Sequence, residues 1–174
     1  MTTLLTSLIA PSYDAFTYDE PYPWWYASTS SAPVANTLNL MEAPNRSTDS
    51  TIGVIRVKVG ATSNGNLKVA VYTFDGTTWA LVGSSASTAV GTVSTIQAVS
   101  LSSSVVIRRG VRRFYGLVTD GTATFFRMAG PDTNMGFLQP SAASKASSFT
   151  LPSSMVVGDL AVTSFIPWMR ASAA

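Results

Sequence analysis

GVIRVKVGATSNGNLKVAVYTFDGTTWALVG, residues 53–83, decides the fold class. Ile55, Val57 and Val59 alternate with Arg56 and Lys58, the period-2 signature of a strand with one buried face. Leu67, Val69 and Val71 alternate in the same way with Lys68, Ala70, Tyr72 and Phe74. Ser63-Asn64-Gly65-Asn66 separates the two runs, and its Asn-Gly centre suits the positive φ of a tight hairpin. Asp75-Gly76-Thr77-Thr78 repeats that signal before Trp79-Ala80-Leu81-Val82-Gly83. A three-strand meander is expected over this stretch.

The same pattern extends in both directions. The β pattern begins at about residue 37. After the meander, SSASTAVGTVSTIQAVSL reads as a loop followed by a strand over 94–101, and SSVVIRRG as a short strand stopped at Gly110. VRRFYGLVTDG continues as a strand with Phe114 and Val118 on one face and Tyr115 and Leu117 on the other. Asp120-Gly121 is a third turn, from which TATFFRM is expected to return as a partner strand. GPDTNMGFLQPSAASKASS is rich in turn residues and reads as loop. A last strand is expected over 159–167, with Trp168-Met169-Arg170 as a tail. Short strands separated by turn signals, with no sustained helical period and no internal repeat, define the expected fold class. It is all-β, a single antiparallel β-sandwich of jelly-roll-like kind spanning residues 37–174.

Residues 1–36 read as an extended arm. DEPYPWWYASTSSAP carries Pro21, Pro23 and Pro33, too many for a helix or a central strand. Its rings are too apolar to stay in water. Trp24, Trp25 and Tyr26 either pack on their own domain or anchor the arm on a neighbouring subunit. The opening MTTLLTSLIAPS lacks the basic residues of a signal peptide, and no run nears the roughly 20 apolar residues of a membrane helix. No secretion address and no membrane partner are therefore expected.

Composition narrows the chemistry. The chain has 174 residues, no His and no Cys, which removes imidazole bases, thiolate nucleophiles, imidazole or thiolate metal sites and disulfides. Charged residues make up 11%, well below the usual roughly 25%, whereas 45 residues are Ser or Thr. With 46% apolar residues the chain has the means to build a core. The net charge of +2 does not call for a nucleic-acid partner.

Catalytic patterns are weak. Asp75 and Asp120 precede Gly in turns, where a carboxylate caps backbone N–H groups, and no carboxylate pair stands out for glycoside hydrolysis. A Ser nucleophile would need Lys58, Lys68 or Lys145 as its base, and no Gly-x-Ser-x-Gly elbow or phosphate-binding Gly-rich loop is present. The chain is read as a non-enzyme, with no catalytic, cofactor or metal residues assigned. The one dense charge feature is RRGVRR, which holds Arg108, Arg109, Arg112 and Arg113. These arginines either contact an anion or a protein partner, or pair with carboxylates of the same or a neighbouring chain. Alternation turns Arg112 and Arg113 to opposite faces. Trp79 and Trp168 are candidates for stacking on a glycan, and a core position is the competing account of Trp79.

The stretch from about 52 to 128 resembles a β-sandwich module of tailed-bacteriophage structural proteins. The resembling elements are TIGVIRVKV, NLKVAVYTFDGTTWALVGSSAST and LSSSVVIRRGVRRFYGLVTDGTA, with the aromatic pair Phe114-Tyr115 after a Gly turn. The Arg-rich turn departs from the pattern, where a plain Thr-x-Gly is more usual, and tilts the reading toward a protein contact. The resemblance implies a non-enzymatic virion structural protein made in the host cytoplasm. It would be an oligomeric accessory subunit, with a trimer favoured, on the capsid as decoration or cement, or on the tail or fibre. Its partners would be further copies of itself and a major capsid or tail protein. The alternative is a carbohydrate-binding jelly-roll module for attachment to cell-surface glycans. No cofactor is implied.

Overall fold

The computed structural model describes residues 18–19, 29–43, 48–128, 142–163 and 165–174. The strands in chain order are β1 (Tyr18–Asp19), β2 (Thr29–Ser31), β3 (Thr37–Ala43), β4 (Ser50–Lys58) and β5 (Asn66–Phe74). There follow β6 (Thr78–Ser84), β7 (Thr88–Ala89), β8 (Ile96–Ile107), β9 (Arg112–Thr119) and β10 (Phe125–Met128). The last five are β11 (Ala142–Ala146), β12 (Ser154–Val156), β13 (Ala161–Val162), β14 (Ile166–Pro167) and β15 (Met169–Ser172). Among the described residues a single 3-10 turn, Val157–Asp159, interrupts them, and there is no α-helix. The protein is all-β, and its antiparallel sheets form a jelly-roll-like sandwich.

A four-stranded sheet runs β1-β15-β4-β8. The large sheet runs β12-β6-β5-β9-β3-β11-β13, with β7 added on β5, and a small third sheet runs β14-β10-β2. Alternation sorts the side chains as the sequence predicts. Ile55 and Val57 of β4, with Val59 just past its end, meet Leu67, Val69 and Val71 of β5 and Tyr115 and Leu117 of β9 in the core between the two larger sheets.

The meander is not formed. Only β5 and β6 make a hairpin, through Asp75-Gly76, whereas β4 and β5 lie in different sheets. Likewise β10 does not return to β9 but pairs with β14 and β2. The Asn64-Gly65 and Asp120-Gly121 turns instead knit to each other where β9 ends and its neighbour β5 begins. The Asn64 amide donates to Thr122 Oγ1 at 2.7 Å, and the Asn66 N–H donates to Asp120 Oδ1 at 2.6 Å. Gly65 has φ +73° and a Cβ there would lie 2.8 Å from Gly121 Cα, while a Cβ on Gly121 would lie 2.8 Å from Asn64 O, so each turn requires its glycine.

The expected strands at 94–101 and after Ser103 are one strand, β8. Ile52 pairs with Val105 and Val54 with Ser100, so Leu101–Ser104 bulges past the single residue Gly53. Residues 142–146, read as loop, form β11 and pair along β3 from Met41 to Thr37. Their Ala-Ala-Ser-Lys-Ala sequence carries no strand signal of its own, and β3 supplies the template. The strand expected at 159–167 breaks into the 3-10 turn, β13 and β14. The supposed tail is β15, whose Met169 and Ala171 are core residues paired to β4.

Two parts of the expected arm are hydrogen-bonded into the sandwich: β1 pairs with β15 and β2 with β10. A Cβ on Gly60 would lie 2.7 Å from Ser30 Cβ, which shows how tightly β2 is seated.

The large sheet is buried on its second face as well. Leu38, Leu40, Ala70, Tyr72, Trp79, Phe114, Val118 and Met155 form a second core, packed against Phe149, Leu151 and Leu160. The covering segment is tied down by polar contacts. The Tyr72 hydroxyl donates to Pro152 O at 3.0 Å, Lys68 Nζ to Phe149 O at 3.0 Å and the Leu81 N–H to Ser153 O at 2.9 Å. Burial raises the Tyr72 phenol above its ordinary pKa.

Candidate functional site

The arginine turn joins β8 to β9 across the sandwich, closed by a hydrogen bond from the Val111 N–H to Arg108 O at 3.2 Å, with Gly110 at φ +75°. Its carboxylate partners come from the same chain. Asp49 precedes β4, whose Ser50 pairs with Ile107, so it sits beside the turn. It accepts from Arg108 Nη1 at 2.8 Å and from the Arg109 N–H at 2.8 Å. The Arg109 N–H foremost, and then the Arg108 guanidinium, hold the Asp49 carboxyl below its ordinary pKa.

Arg112 forms a two-pronged pair with Glu42 of β3, at 2.7 and 3.0 Å, and lies 4.9 Å from the centre of the Phe74 ring. Glu42 raises the Arg112 pKa. Arg113 points the other way, as alternation requires. It is 1% exposed and donates from Nη1 to Ser50 Oγ at 3.4 Å. The four arginines therefore do not form one anion-binding stripe. Arg108 and Arg112 hold carboxylates of their own chain, and Arg113 is interior.

The two rings proposed for glycan stacking have no open face. Trp79 is 8% exposed, stacked on Phe74 at 4.1 Å and set edge-on to Phe114 at 5.6 Å. Trp168 is 2% exposed. The stacking assignment is corrected for both, because the cover on the large sheet encloses Trp79, and β15 carries the chain onward from Trp168 into the core. Trp24, Trp25 and Tyr26 lie outside the described residues.

The surface feature that the sequence pattern did not single out is β8. It is the last strand of the four-stranded sheet, 12 residues long, with no charged residue and no Pro. Among the described residues no strand pairs with its outer edge. Ile96, Ala98, Ser100, Ser102, Ser104 and Val106 are all exposed, Ile96 at 48% and Val106 at 60%. A sheet edge is ordinarily blunted by Lys, Pro or a bulge; here only the bulge at Leu101–Ser104 does so. The missing charge was visible in the sequence, but the position at a sheet edge was not.

Among the described residues no cluster of three or more acidic side chains is placed to hold a metal ion. In comparisons with known proteins, no family model and no curated protein matches the chain.

Proposed function

We propose that this protein is a non-enzymatic virion structural protein of a tailed bacteriophage. It acts as an oligomeric accessory subunit, with a trimer favoured, on the capsid or on the tail or fibre. The observation that carries this reading is β8, a long, uncharged edge that a lone subunit leaves unpaired among its described residues. A strand or surface from a neighbour satisfies its backbone groups and covers Ile96 and Val106. Burial of such residues contributes about 25 cal/mol per Å² of apolar area, and symmetry repeats the contact around a closed ring. Sparse charge suits this role, because a covered surface needs no charge for solubility. A major capsid or tail protein is the second partner in this reading, and the virion is the location.

Light-scattering chromatography of the full chain tests the proposal, alongside a variant carrying Ala98→Lys and Val106→Lys. The expected result is a closed oligomer for the parent and a monomer with an unchanged circular-dichroism spectrum for the variant. A parent that runs as a monomer, or a variant that assembles like the parent, overturns it.

A further inference from the structure

A cleft of about 320 Å³ opens where the β2–β3 connection meets β10, β11 and the approach to β14. That places it at the small end of the roughly 300–1,000 Å³ range of small-molecule sites. Its wall holds an unusual amount of unused hydrogen-bonding capacity. Asn39 of β3 is 2% exposed, yet its side chain makes one hydrogen bond, from Nδ2 to Thr37 O at 3.0 Å. Among the described residues its amide oxygen accepts no hydrogen bond, and Asn39 lines the cleft. Ser144 of β11 lies opposite Asn39 in register and lines the same cleft. The hydroxyls of Ser31, Thr37 and Ser144 make no hydrogen bond among the described residues. Thr163 Oγ1 accepts from the Phe165 N–H at 3.0 Å and still has a proton to donate. Pro33, Val34 and Phe165 add apolar surface to the wall. Among the described residues of the lining Arg127 is the one that is charged, and it has a partner of its own.

Several neutral donors and acceptors beside apolar patches, in a space for a single small ring, match a sugar unit. A sugar presents hydroxyls around its rim and C–H groups on its faces. We propose that this cleft binds one sugar residue of a glycan, with Asn39, Ser144 and Thr37 holding its hydroxyls. The site is separate from β8 and does not depend on assembly there. It also differs from the two tryptophans, which are enclosed. A ligand this small, with few contacts, binds in the millimolar range.

The test is amide-resolved NMR on the full 15N-labelled chain. It is titrated in turn with glucose, galactose, mannose, N-acetylglucosamine and glucuronic acid. At least one sugar is expected to give saturable shifts at Asn39, Ser144, Thr163 and Phe165. Ser144→Phe fills the cleft and abolishes them. Thr37→Val keeps the shape, removes one hydroxyl and weakens binding about five- to tenfold. If Ser144→Phe fails to fold, Thr37→Val decides. The proposal is overturned if no sugar in the panel shifts these amides saturably, if the shifts map elsewhere, or if the folded variants bind like the parent.

Discussion

Trp79 shows how a strand signal and a burial signal combine. It follows a turn in which Asp75 Oδ1 accepts from the N–H groups of Thr77 and Thr78, at 2.9 and 2.8 Å, so the chain reverses just before the ring. The reversal lays the indole on Phe74, its cross-strand partner in the hairpin. Its Nε1 is buried with no hydrogen-bond partner among the described residues. The ring therefore contributes through packing and not through its polar group. Trp79→Ala is expected to lower stability by about 3–5 kcal/mol, the usual cost of deleting a large buried ring. Trp79→Phe gives up volume but no hydrogen bond, and about 1 kcal/mol is expected. Urea unfolding midpoints of the two variants check both values. A loss under about 1 kcal/mol for Trp79→Ala would show that the ring does not belong to a core.

Short strands are where sequence and structure part. β4, β5 and β9 are long enough for alternation to show, and their expected faces agree with the two cores. Strand pairing was not legible, because an Asn-Gly turn fixes a reversal of direction but not which sheet receives the next strand. Nor was the cover over Trp79 and Tyr72: Phe149, Leu151 and Met155 are too widely spaced among Ser, Thr and Pro to show a period. Of the candidate site residues, the opposed facing of Arg112 and Arg113 was legible, but their partners, the Glu42 carboxylate and the Ser50 hydroxyl, are distant in sequence. β2 makes the point most sharply, since Thr29-Ser30-Ser31 has no apolar residue and still supplies the partner of Phe125–Arg127. A chain that begins at residue 29 keeps β2 and, of the described strands, loses the two-residue β1. One that begins at residue 36 exposes β10 and uncovers the backbone at Gly60, a loss of about 3 kcal/mol at roughly 1 kcal/mol per backbone hydrogen bond. Thermal melts of the two truncations are expected to separate clearly, with the shorter chain lower. Coincident melts would mean that β2 is not part of the folding unit.

The molecule as a whole has no side chain that titrates near neutrality at its ordinary pKa, because it holds neither His nor Cys. Its acid sensitivity rests on exposed aspartates that anchor turns. Backbone N–H groups lead in holding Asp49, Asp75, Asp120 and Asp159 below the ordinary value of 3.8. For Asp120 the donors are the Asn66 N–H and then the Asn66 side-chain amide. A carboxyl with a depressed folded pKa adds stability that is fully present above its unfolded pKa and is lost as pH falls through the folded value. The melting temperature is therefore expected to be flat between about pH 5 and 8 and to drop below about pH 4. Asp120→Asn lowers the plateau and makes the acid limb shallower, because that carboxylate no longer takes up a proton on unfolding. Calorimetry of parent and variant across this range checks the expectation. A slope near neutrality in the parent, absent under conditions where it runs as a monomer, would instead place a titrating group at a contact between subunits. Flat behaviour in both states would fit an interface built, like β8, from hydroxyls and aliphatic side chains.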